Sequence, residues 1–287
     1  MTLTDYLKQH YRPGTAKSYW REIEIYRGNF PSADTAFYQE IVGYIGRLRN
    51  RYPNPRTINR ILASIKAYYA FLSQSGQRTD NPAQAICLRD KASRDIQLQD
   101  LFTEEELESL LQRKERYGLL TVRNQVLMSL LVYQALLPGE LASVQTSDID
   151  LVQARVYIRA TAKTQARTLS LKASQLSLLQ SYLHQMRPAL LAGKETAALL
   201  IGARGEPMPS EDLTKHVKRR FSNRFTGRIV NVRSIRQSVI TNLLKAGHDL
   251  RIVQVFAGHK NPSTTERYKQ TNMEALQTAI GQYHPIR

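Results

Sequence analysis

The first ninety residues place apolar side chains at the three- and four-residue spacing of amphipathic helices. Three stripes are present: Tyr19, Ile23 and Tyr26 behind a candidate N-cap at Thr15; Tyr38, Ile41, Val42, Ile45 and Leu48; and Ile58, Ile61, Leu62, Ile65, Tyr68, Tyr69 and Leu72 behind Thr57. Each stripe is a helix face that must pack against another element. The pattern therefore predicts a small helical domain over residues 1–92.

A polar stretch separates this segment from the rest of the chain. Asn81-Pro82 opens a connector, and we place the linker at residues 93–100. Thr103 followed by Glu106 has the form of a capping box, which marks the start of a helix. A second domain is therefore predicted over residues 101–287.

The middle of the second domain carries the clearest strand signal. An apolar helical run over residues 124–142 is interrupted at Leu137-Pro138-Gly139. Alternating positions at 154–160 and 167–171 then predict a β-hairpin, and residues 198–201 are a candidate third strand.

The end of the second domain returns to helices. A helix is predicted over residues 235–245, and another between an Asp249 cap and Gly258. A capping box of Ser263 and Glu266 predicts a last helix, which holds Tyr268. The fold class expected from these patterns is mainly α, with two helical domains and one small sheet.

The net charge of the chain indicates which class of partner it binds. Its 287 residues include 41 Lys and Arg against 24 Asp and Glu, a net charge of +17. Both halves are basic, and the excess is densest from Arg204 to Arg236, with nine basic and three acidic residues. A polyanion is the expected partner, nucleic acid first, and two basic domains would suit a clamp around a duplex. Two solvated basic helix faces are the alternative that charge leaves open.

Other features exclude several protein classes. No apolar run approaches the roughly 18–20 residues of a membrane span. The N-terminus lacks the apolar core of a signal peptide, so we expect an intracellular protein. The single cysteine, Cys87, excludes an internal disulfide and a cysteine zinc site.

The C-terminal region contains an ordered motif. Residues 233–268 read RSIRQSVITNLLKAGHDLRIVQVFAGHKNPSTTERY, in which His259 follows Arg236 by 23 residues and Tyr268 follows His259 by nine. Each residue alone has an ordinary explanation, as a phosphate anchor, a helix-capping histidine and a core or surface tyrosine. Together, in this order, they closely resemble the C-terminal motif of the tyrosine recombinases, the phage-integrase and Xer-like enzymes.

The resemblance extends over nearly the whole chain. Residues 56–60 and 81–83 are similar to the family's N-terminal core-binding domain, and residues 101–106 to the start of its catalytic domain. It implies a mainly α, two-domain DNA clamp: a SAM-like helical core-binding domain and a mostly helical catalytic domain with a small three-stranded antiparallel sheet.

The resemblance also implies a reaction. Tyr268 falls on the nucleophile, which attacks a DNA phosphodiester and forms a 3′-phosphotyrosyl bond, so that rejoining needs no metal or other cofactor. Arg236 and His259 fall on donors to the scissile phosphate, and Lys163, in the hairpin loop, on the catalytic lysine. Fixed cationic donors stabilise the charge that develops in the transition state.

Two positions depart from the family pattern. The stretch that matches G-L-R-x-x-E-L is residues 135–141, ALLPGEL, with Leu137 at the place of the first arginine. Arg233 stands at the first histidine of H-x-L-R. Loss of one oxyanion donor weakens transition-state binding by roughly 2.7–4 kcal/mol. We hypothesise a rewired cationic pocket in which Arg233 is the second phosphate clamp beside Lys163, Arg236 and His259.

Two functions compete on this evidence. The first is a divergent but active site-specific recombinase or integrase, favoured by the retained Tyr268, Lys163, Arg236 and His259. The second is a catalytically impaired homologue that binds DNA as an accessory or regulatory protein, favoured by Leu137. We favour the active enzyme; no motif supports a purely structural or RNA-binding role.

Partners follow from the same resemblance. Family members act as tetramers on paired sites and pass a C-terminal helix to a neighbour, so we expect a homotetramer on double-stranded DNA and a monomer or dimer off DNA. Residues 274–280 are a candidate exchanged segment, and folding back onto their own domain is the alternative. A cytoplasmic, nucleoid-associated location in a prokaryote is implied, and integration, inversion, transposition and resolution stay open as roles. The candidate DNA-binding residues are Arg56, Arg60, Lys66, Lys215, Lys218, Arg219, Arg220, Arg224 and Arg228.

Overall fold

A computed structural model describes residues 1–88, 101–112, 118–222 and 224–269. These residues divide between two compact units, one within residues 1–94 and the other within residues 95–287. The predicted linker and the candidate exchanged segment lie outside the described residues. Over the described ranges, every helix is too short or too polar to cross a bilayer.

The first unit is helical in its described part. Helix α4 packs against α1, α2 and α3, and its apolar stripe is buried, with Ile65 and Tyr69 fully enclosed. The four helices are α1 (Leu3–His10), α2 (Pro13–Asn29), α3 (Tyr38–Arg51) and α4 (Pro55–Gln74). Sequence analysis predicted the last three and missed α1.

The second unit is mostly helical and is centred on α6 (Gly118–Gln134). This helix is apolar on most of its surface, and Val126, Leu127 and Leu130 are completely buried. Helices α8 and α11 pack against it. The other helices are α5 (Glu104–Ser109), α7 (Pro138–Ser143), α8 (Ala173–Ser181), α9 (Arg187–Leu191), α10 (Ser210–Phe221), α11 (Val232–Lys245), α12 (Leu250–Ala257) and α13 (Pro262–Lys269).

A small antiparallel sheet lies in the second unit, as predicted. Its order is β1-β2-β3, and the strands are β1 (Ile149–Asp150), β2 (Arg155–Ile158) and β3 (Arg167–Ser170). The hairpin prediction is confirmed, but residues 198–201 are not the third strand: they form only isolated bridges, to Gln145 and Pro207. This apolar segment is buried core, and a short apolar run does not distinguish a strand from other buried backbone.

Helix starts show one systematic error of the sequence-based prediction. In the described ranges, four helices begin at a proline: Pro13, Pro55, Pro138 and Pro262. In three of these helices the predicted caps, Thr15, Thr57 and Ser263, lie inside the first turn. Proline suits the first helical position because its φ is already helical and its missing N–H would have had no partner there. The capping box of Thr103 and Glu106 and the Asp249 cap are confirmed.

Candidate active site

Arg236 lies on the buried face of α11. Asn231 caps this helix by accepting a hydrogen bond from the Ser234 amide (2.9 Å). The Arg236 guanidinium donates from Nη1 to the Ala135 carbonyl (2.6 Å) and from Nη2 to the Ala257 carbonyl (2.5 Å). It therefore joins the turn after α6 to the end of α12.

The turn after α6 holds the position where the family pattern has its first arginine. Ala135 stands at the glycine of that pattern and adopts a left-handed conformation, with φ of 51°. The Leu137 amide donates to the Glu140 carboxylate (2.8 Å), which caps α7. The half-buried Leu137 side chain brings no donor to the site.

His259 follows the sharp end of α12. Gly258 has a φ of 69°, the left-handed conformation that ends a helix, and the chain turns there to bury the imidazole. The Nδ1 atom lies 2.8 Å from the Thr265 hydroxyl. Burial, and then the charges of Arg236 and Arg167, lower the pKa of His259 to about 4. The ring is therefore neutral at pH 7, and it presents an Nε2–H donor when Thr265 donates to Nδ1.

Tyr268 lies on α13 beside His259. The two rings are nearly parallel, at 16°, with centroids 6.0 Å apart. Burial raises the pKa of the Tyr268 hydroxyl, while the charges of Arg236, Arg233 and Arg267 act in the opposite direction. The phenol is thus protonated at neutral pH, and three guanidinium groups are close enough to favour its anion.

The hairpin between β2 and β3 brings Lys163 to the same region. Thr164 pairs with His259 in an antiparallel bridge, and the Gln165 amide donates to the Gly258 carbonyl (2.9 Å). Lys163 precedes Thr164 and is exposed. The backbone therefore places this lysine next to the histidine, on a loop from a different part of the sequence.

Arg233 stands one helical turn before Arg236. It lies near the start of α11 and is exposed, whereas Arg236 is buried. Its charge acts on the Tyr268 hydroxyl. All five candidate catalytic residues thus gather around the ends of α11, α12 and α13.

Sequence analysis missed a buried ion pair beneath this group. Arg167, from β3, donates to both carboxylate oxygens of Glu140, at 2.7 and 3.2 Å, and its Nε donates to the Phe256 carbonyl (2.7 Å). Burial raises the pKa of Glu140, but the hydrogen bonds and charge of Arg167 outweigh it, and the net effect lowers this pKa. The available signal was an arginine at an inward position of an alternating strand, where a charged residue needs a partner.

The candidate DNA-binding residues fall into two classes. Some make an ion pair with a carboxylate of their own unit: exposed Arg60 pairs with Glu22 (2.9 Å), and half-buried Arg228 pairs with Glu106 and stacks on Phe102. The Lys66 ammonium donates to the Gln84 carbonyl. The remaining candidates are Arg56, Lys215, Lys218, Arg219, Arg220 and Arg224, which are also exposed or half-buried. Four of them lie on α10, where Lys215 is 3.5 Å from the carboxylate of Asp212.

Comparison with protein families gives one match over most of the second unit. Residues 100–275, more than half of the chain, match the model of the phage integrase family. The match includes every candidate catalytic residue.

Curated relatives match along almost the full length. The chain is 27% identical to the tyrosine recombinase XerC of Lactobacillus delbrueckii subsp. bulgaricus over 271 aligned residues. The alignment covers 94% of this chain and 89% of that protein. It is 26% identical to the tyrosine recombinase XerD of Oceanobacillus iheyensis, over 94% of this chain and 92% of that protein.

Solved structures show the same fold. The XerH site-specific recombinase bound to a palindromic difH substrate matches with a TM-score of 0.69 and 19% identity, over 92% of this chain and 77% of that one. The integrase of the Tn1549 transposon, in complex with transposon right end DNA, matches with a TM-score of 0.65 and 18% identity, over 96% of this chain and all of that one.

Proposed function

Because this chain belongs to the phage integrase family, we propose that it is a site-specific tyrosine recombinase, which cuts and rejoins double-stranded DNA through a 3′-phosphotyrosyl intermediate. The observation that carries this proposal is the meeting at one place of Tyr268 from α13, Arg236 from α11 and His259 from the turn after α12. A tyrosine with only a packing role would not need the three nearby guanidinium groups of Arg236, Arg233 and Arg267.

The proposed reaction assigns one role to each residue. The Tyr268 oxygen attacks phosphorus as its hydroxyl proton passes to solvent, the bond from phosphorus to the 5′ oxygen breaks, and that oxygen leaves with a proton from Lys163. Arg236 and Arg233 bind the non-bridging oxygens, where negative charge develops, and neutral His259 donates a further hydrogen bond. Attack by the 5′ hydroxyl of a second strand on the tyrosyl ester reverses the step and rejoins DNA.

Positive charge on both units supports binding to the DNA backbone. We assign phosphate contacts to Arg56 and to the basic face of α10, and we assign Arg60 and Arg228 to the fold because carboxylates hold them. Phosphate contacts position a protein on DNA without reading its sequence. Assembly as a homotetramer on paired sites, and action at a prokaryotic nucleoid, are part of the proposal.

Capture of the covalent intermediate tests the proposed function. DNA of the encoding genome is sheared, nicked at random, incubated with the purified protein and quenched in detergent. A nick beside the cleavage point lets the short strand diffuse away, which traps the tyrosyl ester. We expect one sequence to be enriched in the detergent-resistant fraction, and this fraction to vanish with Tyr268→Phe.

The control is Tyr157→Phe, at an exposed tyrosine of the second unit, which should leave the adduct unchanged. Selective DNA binding by the wild-type protein without any Tyr268-dependent adduct would overturn the catalytic proposal. That result would indicate the accessory, DNA-binding function instead.

A further inference from the structure

Glu140 is shared by two buried guanidinium groups. Its side chain is completely enclosed, and Arg167 contacts both of its oxygens. Arg236 lies on the other side, with its Nη1 3.7 Å from Glu140 Oε2, beyond a good hydrogen bond. Arg236 donates to two main-chain carbonyls instead.

The charges of this group leave one positive charge for a ligand. Arg167 and Arg236 carry two positive charges and Glu140 one negative, while the neutral His259 adds none. An unpaired charge in a buried site is unfavourable, so the site favours one added anion. A phosphodiester of the DNA backbone carries a single negative charge, which would neutralise the remaining positive charge of the site.

Arg167 decides which guanidinium the carboxylate neutralises. Without Arg167, Glu140 would keep Arg236 as its nearest cation, at a separation that a small side-chain movement closes. A bidentate ion pair between Arg236 and Glu140 would then satisfy both carboxylate oxygens. It would also withdraw Arg236 from the phosphate and leave the site electrically neutral.

Arg167 also holds three segments of the site together. Its Nε bonds the Phe256 carbonyl at the end of α12, its Nη atoms hold Glu140 at the start of α7, and its own strand leads from the Lys163 loop. Gly258 leaves it room, since a Cβ there would lie 2.5 Å from Arg167 Nη1.

We propose that Arg167 is a positioning residue, which occupies Glu140 and so keeps Arg236 available for the scissile phosphate. The inference rests on the proposed function, because it names what Arg236 is kept for. It adds a residue that touches no reacting atom and acts through Glu140.

A double-mutant cycle separates this role from simple support of the fold. Single-turnover cleavage and DNA affinity are measured on the captured sequence for Arg167→Met, Glu140→Gln and the double variant. Arg167→Met should slow cleavage by about 100-fold or more with DNA affinity within about threefold. The double variant should cleave at least about tenfold faster than Arg167→Met, because no carboxylate is left to capture Arg236.

Two further variants complete the design. Arg167→Lys keeps the positive charge beside Glu140 but loses the bidentate fork, so its cleavage rate should fall between those of wild type and Arg167→Met. Arg187→Met removes another buried arginine, which bonds the carbonyls of Thr196 and Ala198, and Glu140→Gln should not rescue it. If Arg167→Met fails to fold, Arg167→Gln, which keeps an amide donor for Phe256, takes its place in the cycle.

Inorganic phosphate gives a readout that does not need cleavage. Its binding is followed through the ring signals of His259 by NMR, and Arg167→Met should weaken it while the double variant restores it. A double variant no better than Arg167→Met in both assays would overturn the inference. Wild-type protein that binds phosphate in this pattern but forms no adduct would overturn the proposed function, and it would limit the role of Arg167 to keeping Arg236 available for a bound phosphate.

Discussion

Single residues in this site are distinguished by burial more than by type. Arg236 and Arg233 are one helical turn apart, yet Arg236 is enclosed and bonded to carbonyls while Arg233 faces solvent. A buried guanidinium is held in place before substrate arrives, and an exposed one must be ordered by it. We therefore expect Arg236 to be the pre-organised clamp and Arg233 to complete the pocket on DNA binding.

Replacement of Arg233 tests whether it takes the place of the missing arginine. Arg233→Ala should lower the single-turnover cleavage rate by about 10²–10³, with DNA affinity within about threefold. Leu137→Arg in the same background should recover at least about tenfold, since it returns a guanidinium to the pocket. Arg251→Ala, at an exposed position of α12, is the control. Cleavage by Arg233→Ala within about threefold of wild type would remove Arg233 from the mechanism.

Burial of His259 predicts a specific pH dependence of stability. Its folded pKa of about 4 lies below that of an unfolded histidine, near 6.5, because of burial and then Arg236 and Arg167, with Glu140 opposing. Between these values the unfolded chain binds a proton that the native state does not. This contribution to the free energy of unfolding is complete above pH 6.5 and is lost as pH falls, by up to about 1.4 kcal/mol per pH unit.

Urea unfolding of His259→Gln from pH 4 to 7 measures this dependence. The variant should show a shallower fall in the free energy of unfolding than wild type. His184→Gln, at an exposed histidine, should leave the slope unchanged. Equal slopes for wild type and His259→Gln would show that the imidazole is not held neutral by its surroundings.

At the scale of elements, the end of α12 connects the helix geometry to the site. Gly258 has positive φ and lies against Arg167, whereas Gly247, at φ 85°, has open space around its Cα. Gly247→Ala should therefore lose only about 1 kcal/mol of unfolding free energy, for the left-handed backbone. Gly258→Ala should lose more, because Arg167 must also move, and it alone should slow cleavage. Chemical denaturation and the cleavage assay compare the two; equal losses in both would contradict the packing described here.

The periodic elements could be predicted from the sequence, whereas the catalytic candidates came from the family resemblance of the C-terminal motif, and their roles stay predictions. Apolar spacing identified α2, α3, α4 and the hairpin, because each has one face that must be buried. The prediction placed three helix starts after the prolines that begin them, because Ser and Thr are also favoured at helix caps. It assigned residues 198–201 to a strand, because a short apolar run fits both a strand and other buried backbone.

The supporting part of the site could not be predicted in the same way. Arg167 and Glu140 are separated by 27 residues, and their pairing depends on how β3 packs beside α7. Arg236 bonds a carbonyl 101 residues away. Such contacts depend on the packed fold rather than on local spacing, so the sequence indicates that a buried charge needs a partner without saying which residue provides it.

At the scale of the whole molecule, the charge of +17 acts in two ways. Within the described ranges most basic side chains lie on the surface, where we propose that they attract the DNA backbone. Arg167 and Arg236 are buried, and we propose that Arg236 binds one phosphate while Arg167 acts through Glu140. We therefore expect surface charge to determine DNA affinity and its salt dependence, and cleavage to depend on buried Arg236 together with exposed Arg233 and Lys163.

Salt dependence of DNA binding measures the surface contribution. Lys218→Ala on α10 should weaken binding to all sequences and reduce the slope of log affinity against log salt by about 0.9, because one DNA phosphate is no longer neutralised. Lys245→Ala, at an exposed residue in the last turn of α11, is the matched control. Cleavage of bound DNA should be unchanged in both variants. An unchanged slope for Lys218→Ala would remove α10 from the DNA interface.

The most direct test of the central claim is the chemical identity of the trapped adduct. The covalent complex is digested with nuclease and protease, and the modified peptide is sequenced by mass spectrometry. The account predicts a nucleotide joined through its 3′ phosphate to Tyr268, in wild-type protein that carries Leu137 at the place of the first arginine. A modified residue other than Tyr268, or no modified peptide from protein that binds the captured sequence, would contradict it.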